Sequence, residues 1–131
     1  MELPMITNPI EIDLALRAII KRHEKNLQFR KDDSSGLEAA GTIPTMQGKQ
    51  KVDGFYFAST IPKPKDCRLY FFPIYTDVAA FTDIDPDLRK CLKGKSCFHI
   101  KKMDASLEAS ISDMIDKGIA VYQEKGLLTS T

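Results

Sequence analysis

Tryptophan is absent from this chain of 131 residues, and cysteine is scarce: Cys67, Cys91 and Cys97 are the three present. An odd number of thiols with no C-x-x-C pair excludes a disulfide framework and a zinc ribbon, and fits reduced cysteines in a cytoplasmic protein. Neither sign of charge dominates, because 19 Lys and Arg against 18 Asp and Glu leave a net charge of +1. A dedicated nucleic-acid binder normally carries a clear basic excess, so that function is set aside. Long apolar runs are missing too, and nothing approaches the ~18 uninterrupted apolar residues of a membrane span. The opening "MELPMITNPIEIDLALRAIIKRHEK" is broken by Glu2, Glu11, Asp13 and Arg17, which is not the pattern of a signal peptide. The expectation is a soluble chain with no membrane partner.

What is present is a globular composition, 43% hydrophobic and 28% charged. At this length, one domain spanning residues 1–131 can bury a core without metal or disulfide staples. Asn8, Pro9 and Glu11 read as N-cap, first and third helical positions, and Leu16, Ile19, Ile20 and His23 follow at helical spacing, which predicts a helix from about 9 to 25. "NLQFRKDD" and "GLEAAGTIPT" read as two short strands around a Ser-Ser-Gly turn, and "MQGKQK" as a polar connection. The strongest strand signals are "VDGFYFASTI" and "CRLYFFPIY", joined by "PKPKD", and they predict an antiparallel hairpin. In "TDVAAFTDIDPDLRKCL" a helical turn precedes a short helix capped by Asp85 with Pro86 first.

"SCFHIK" alternates as a last strand, with Phe98 and Ile100 on one side and Cys97, His99 and Lys101 on the other. The final helix starts at a cap on Asp104, aligns Leu107, Ile111, Met114, Ile115, Ile119 and Tyr122 on one face, and stops at Gly126. The order α, β, β, β, β, α, α, β, α describes an α+β domain: an antiparallel sheet with the N- and C-terminal helices packed on one face.

Three strings, "LYFFPIYTD", "LKGKSCFHIKKMD" and "MIDKGIAVYQEKGLL", together with this order of elements, make the chain resemble the YdhG-like bacterial family over residues 10 to 128. The resemblance implies an α+β fold with a curved antiparallel sheet; the family's biochemical role is mostly unassigned. Part of it is described as frataxin-like iron chaperones, which would imply weak ferrous binding on exposed carboxylates. Here the chain departs from the acidic first helix of frataxin, since Arg17, Lys21, Arg22 and Lys25 offset Glu11, Asp13 and Glu24.

Several constellations bear on function. Cys97 and His99 share a strand face and could give a metal two ligands, with Cys67 or His23 as further donors, but two ligands do not make a site, and the plain reading is a half-buried thiol beside a surface imidazole. The six Lys and Arg of "RKCLKGKSCFHIKK" could lower the Cys97 pKa and make it redox-sensitive or a thiol nucleophile. Lys93-Gly94-Lys95-Ser96 could cradle an anion, although the earlier glycine of a Walker loop is missing. Asp83, Asp85 and Asp87 imitate a calcium loop but lack its glycine and its final acid; helix capping accounts for them, and with Asp77 they form a loose acidic patch open to iron. Finally, Phe55, Tyr56, Phe57, Tyr70, Phe71, Phe72 and Tyr75 are dense enough to line either a core or an open sheet face.

The reading that unites these is a non-enzymatic module with no cofactor, binding a small molecule or a protein on the open sheet face through Tyr70, Tyr75, Lys95, Cys97 and His99. Its rival is a frataxin-like iron chaperone using Asp77, Asp83, Asp85 and Asp87, and a thiol enzyme at Cys97 is a third.

Overall fold

A computed structural model describes residues 5–129. Helix α1 (Pro9–Lys21) begins where the Asn8 side chain accepts hydrogen bonds from the backbone N–H of Ile10 and Glu11, satisfying donors that the first turn leaves free. Its stripe of Ile12, Leu16, Ile19 and Ile20 is buried, while Ile10 and Leu14 on the reverse face are exposed. The helix is shorter than the expected 9–25, because residues 22–26 turn away to start the sheet.

Strands β1 (Leu27–Asp33), β2 (Gly36–Gly41), β5 (Tyr56–Pro62), β6 (Cys67–Phe71) and β7 (Cys97–Ile100) make one antiparallel sheet in the order β1-β2-β5-β6-β7. "MQGKQK" is not a plain connection. It forms a small separate hairpin of β3 (Thr45–Gln47) and β4 (Gln50–Val52), turned by Gly48 at φ +61°, a conformation that glycine adopts without steric cost. After β6 the strand stops at Phe71, since Pro73 fixes the first position of the short helix α2 (Pro73–Thr76). A single 3-10 turn over Val78–Phe81 follows, then α3 (Pro86–Arg89) under its Asp85 cap.

The longest element, α4 (Ala105–Glu124), is capped by Asp104, whose carboxylate accepts from the Leu107 N–H at 2.8 Å. Ile111, Met114, Ile115, Ile119 and Tyr122 are buried, Leu107 half-buried, and Gly126 at φ +74° ends the helix. Both long helices lie on one side of the sheet, where Leu37, Leu69, Phe71, Phe98 and Ile100 complete the core. Phe71 anchors a set of edge-to-face rings with Phe57 and Phe81, and Phe57 meets Tyr122 in the same way. Phe98 and Ile100 therefore face the helices as expected, and Cys97 and His99 point to the uncovered side. A register shift between Ala39 and Ala40 lets Tyr56 turn outward while Phe57 and Ala58 both remain buried.

Candidate functional site

On the uncovered face, cross-strand pairing sets side chains in rows. Ser59 on β5, Tyr70 on β6 and Cys97 on β7 stand opposite one another, and Arg68 stands opposite His99 in the next row. The Tyr56 hydroxyl meets the Ser59 hydroxyl at 2.6 Å, so this tyrosine leans along the sheet toward Tyr70. Beyond Tyr70 the aromatic surface continues: Phe72 lies 5.5 Å from Tyr56 and 5.6 Å from Tyr75, measured between ring centres. The Lys95 ammonium sits 5.4 Å from the centre of the Tyr75 ring, a cation–π contact closing that end. At the other end the Arg68 guanidinium donates to the buried carboxylate of Asp66 at 2.9 Å, and His99 Nδ1 is 3.8 Å from the same group.

Tyr56, Tyr70, Phe72, Tyr75, Lys95 and Cys97 thus form one strip. Of the five residues expected to act together, four lie along it, and His99 lies to one side, where it also lines a cleft by α3. Tyr56 and Phe72 were missed as members. Alternation alone left Tyr56, Tyr70 and Phe72 without an assigned side, since the hairpin register, and the bulge that turns Tyr56 outward, leave no trace in the spacing. Burial pushes the Tyr56 hydroxyl up to about 12, its bond to Ser59 opposing the shift, and burial raises Tyr70 too. Both phenols are neutral donors at physiological pH.

The lysine-rich surroundings do not activate Cys97. Burial raises its pKa, and the groups that oppose this are Tyr70 and Arg68 rather than any lysine, with Asp66 adding to the rise. Its thiol stays protonated near neutrality. Cys91 is raised by burial as well, and Cys67, fully buried against Thr60, is pushed up to about 11. The proposed metal set does not assemble either: Cys67 faces the core, and His23 Nε2 is 2.8 Å from Asp116 of α4.

The four aspartates are engaged singly. Asp77 faces Lys125 at 3.2 Å, Asp83 faces Lys117 at 3.1 Å, and Asp87 lies 3.8 Å from Lys90. Asp85 caps α3 and accepts from the Ser110 hydroxyl at 3.0 Å. The Lys117 ammonium holds the Asp83 carboxyl below its ordinary value. Among the described residues no three His, Cys, Asp or Glu side chains are grouped to hold a metal ion.

Asp13 of α1 is buried. Its carboxylate accepts from Arg17 Nε at 2.7 Å and from the Thr60 hydroxyl at 2.9 Å, tying α1 to β5. Its position three and seven residues before Leu16 and Ile20, on the buried stripe, was the available signal. Lys93 and Lys95, expected to share one anion cradle, diverge, with Lys93 lining the cleft by α3 and Lys95 lying over Tyr75. No described helix is long and apolar enough to cross a membrane. Comparison of the chain with protein-family models, with curated proteins and with solved structures finds no match.

Proposed function

We propose that the chain is a non-enzymatic cytoplasmic binding module of the YdhG-like type, whose five-stranded sheet is curved and takes a small planar ligand on its uncovered face. The observation that carries this is the strip formed by Tyr56 and Tyr70, on the sheet face that α1 and α4 leave uncovered, and continued past the end of β6 by Phe72 and by Tyr75 of α2. Aromatic rings held on strands β5 and β6 and on the α2 turn that follows offer flat apolar area with few rotors to immobilise, which suits stacking against a planar molecule. The hydroxyls of Tyr70 and Tyr75 supply hydrogen bonds that orient it, and Lys95 supplies a charge at one end. Membership of the family rests on the three strings, which fall on β6 with α2, on the α3–β7 connection with the entry of α4, and on the second half of α4. The Tyr70 phenol beside a protonated Cys97 favours binding over covalent chemistry.

A thermal-shift screen of planar small molecules tests the reading. A ligand at about 100 times its dissociation constant stabilises by about 2.7 kcal/mol, a shift of several degrees for a domain of this size. The expected hit loses its effect in Tyr70→Ala and Lys95→Ala and keeps it in Lys25→Ala, an exposed position beyond the end of α1. No hit, or hits indifferent to Tyr70, overturns the reading. A shift seen with ferrous iron alone, and removed by Asp83→Asn with Asp87→Asn, replaces it with the iron-chaperone reading.

A further inference from the structure

A second recess lies outside the strip. A cleft of about 630 Å³ opens between the end of α3, the exit of β7 and the first turn of α4. That volume matches sites that enclose a ligand of drug-like size. Five cationic or potentially cationic groups line it: Lys90, Lys93, Lys101, Lys102 and His99. They come from two separate connections, brought together because residues 91–93 run along the free edge of β7, where the His99 N–H donates to the Cys91 carbonyl and the Lys93 N–H to that of Cys97, both at 2.8 Å.

Three carboxylates share the lining, yet two are committed to other work. Asp85 caps α3 and accepts from Ser110, and Asp104 caps α4 through the Leu107 N–H. Asp87 alone approaches a lysine, at 3.8 Å from Lys90. Lys93, Lys101 and Lys102 form no ion pair among the described residues. These three unpaired ammonium groups and Lys90 share the recess with the three carboxylates, so four lysines against three aspartates leave the lining a formal charge of +1, and low-dielectric walls focus the field of the unpaired lysines inward. Between the charges lies apolar surface from Met5, Cys91 and Leu107.

We propose that this cleft binds a small organic anion, its phosphate or carboxylate held by Lys93, Lys101 and Lys102 and its apolar body laid on Met5, Cys91 and Leu107. A polyanion such as a nucleic acid fits less well, since the charge is gathered at one recess of a chain with net charge +1. Lysine favours a compact anionic group approached from several directions, where a flat two-pronged contact would call for arginine. The site is independent of the aromatic strip, and either proposal can fail alone.

Residue-resolved amide NMR on the full chain, titrated with phenyl phosphate, benzoate and benzyl alcohol, tests it. The two anions should shift the amides of Cys91, Lys93, His99 and Ser106 saturably, and the neutral alcohol should bind at least about tenfold more weakly. Whichever anion binds tighter identifies the source, phosphate ester or carboxylate. Lys93→Ala combined with Lys102→Ala should weaken the tighter anion about tenfold, and Lys101→Glu should abolish saturation, while Lys49→Ala changes nothing. All are exposed side chains, and unchanged dispersion of the remaining amides confirms that each variant is folded. The proposal is overturned if no probe saturates, if benzyl alcohol matches the anions, if the lysine variants bind like the wild type, or if the shifts fall on Tyr70 and Tyr75 instead of the cleft.

Discussion

Gly118→Ala separates two effects that act in opposite directions. Gly118 is buried in the middle of α4, where alanine is intrinsically better than glycine by about 1 kcal/mol, so propensity alone predicts stabilisation. A Cβ there would lie 2.5 Å from Cζ and 2.8 Å from Cε1 of Phe71, and 3.2 Å from Cε1 of Phe57. Ring tips can move away from an exposed residue, but Phe71 is fully buried and held edge-to-face by Phe57 and Phe81. Forcing one methyl into a packed site costs about 1–3 kcal/mol, and contacts this short place the cost at the upper end. The expected net loss is about 1–2 kcal/mol, read as a drop of roughly 0.5–1 M in the urea midpoint with an unchanged slope. In a Phe71→Leu background the same change should cost less, because the ring it strikes is gone. A midpoint that holds or rises in Gly118→Ala would show that α4 does not press on Phe71, and the helix-to-sheet packing described above would be wrong.

Asp13→Ala should cost about 2 kcal/mol in denaturant melts, far more than a surface aspartate, because the buried Thr60 hydroxyl loses its carboxylate acceptor and keeps only the Cys67 sulfur, and Arg17 is left with Asp32 and the Asp33 carbonyl. Asp85→Ala should cost about 1 kcal/mol through the lost α3 cap and leave the iron content of the purified protein unchanged by metal analysis. Stability should fall in alkali. The Cys67 thiol rises from 9.0 to about 11 and the Tyr56 phenol from 10.0 to about 12, so folding favours their protonated forms. Their contribution is full below the unfolded values and is lost as pH climbs through the folded ones, a decline from about pH 9 to 12 that Cys67→Ala with Tyr56→Phe should flatten in pH-dependent melts.

Elements whose signals are local were legible in the sequence. Asn8 with Pro9 and Asp104 with Gly126 are caps and stops whose chemistry acts within one turn; α1 begins at the first pair, and α4 begins and ends close to the second. The facing of β7 was legible for a similar reason, since a short alternation has only two orientations and Phe98 with Ile100 must be inside. The small β3–β4 hairpin escaped because three-residue strands of Thr, Met, Gln, Lys and Val bury little and carry no clear period. The burial of Asp13 escaped because its partner Thr60 arrives from a strand 47 residues away. The strip was partly legible: the side of Cys97 follows from alternation, whereas the side of Tyr70 waits on the hairpin register, and Tyr56 and Phe72 depend on a bulge and on where β6 ends.

The stretch from Lys93 to Lys95 shows how a motif that looks single in sequence becomes two places in space. Gly94 stands at φ +99°, a conformation that side chains with a Cβ rarely adopt, and it reverses the chain between α3 and β7. Lys93, before the reversal, stays on the return along the edge of β7 and lines the cleft with Lys101 and Lys102. Lys95, after it, swings to the opposite end and covers Tyr75. A non-glycine residue at position 94 would meet no atom within 4 Å, so the cost of Gly94→Ala is backbone strain alone, about 1 kcal/mol or somewhat more. The two lysines therefore report on separate sites, and the binding experiments can resolve them: Lys93→Ala should act on the anion probes and leave planar ligands untouched, and Lys95→Ala should do the reverse. Equal loss at both in either assay would mean that the reversal at Gly94 does not part them.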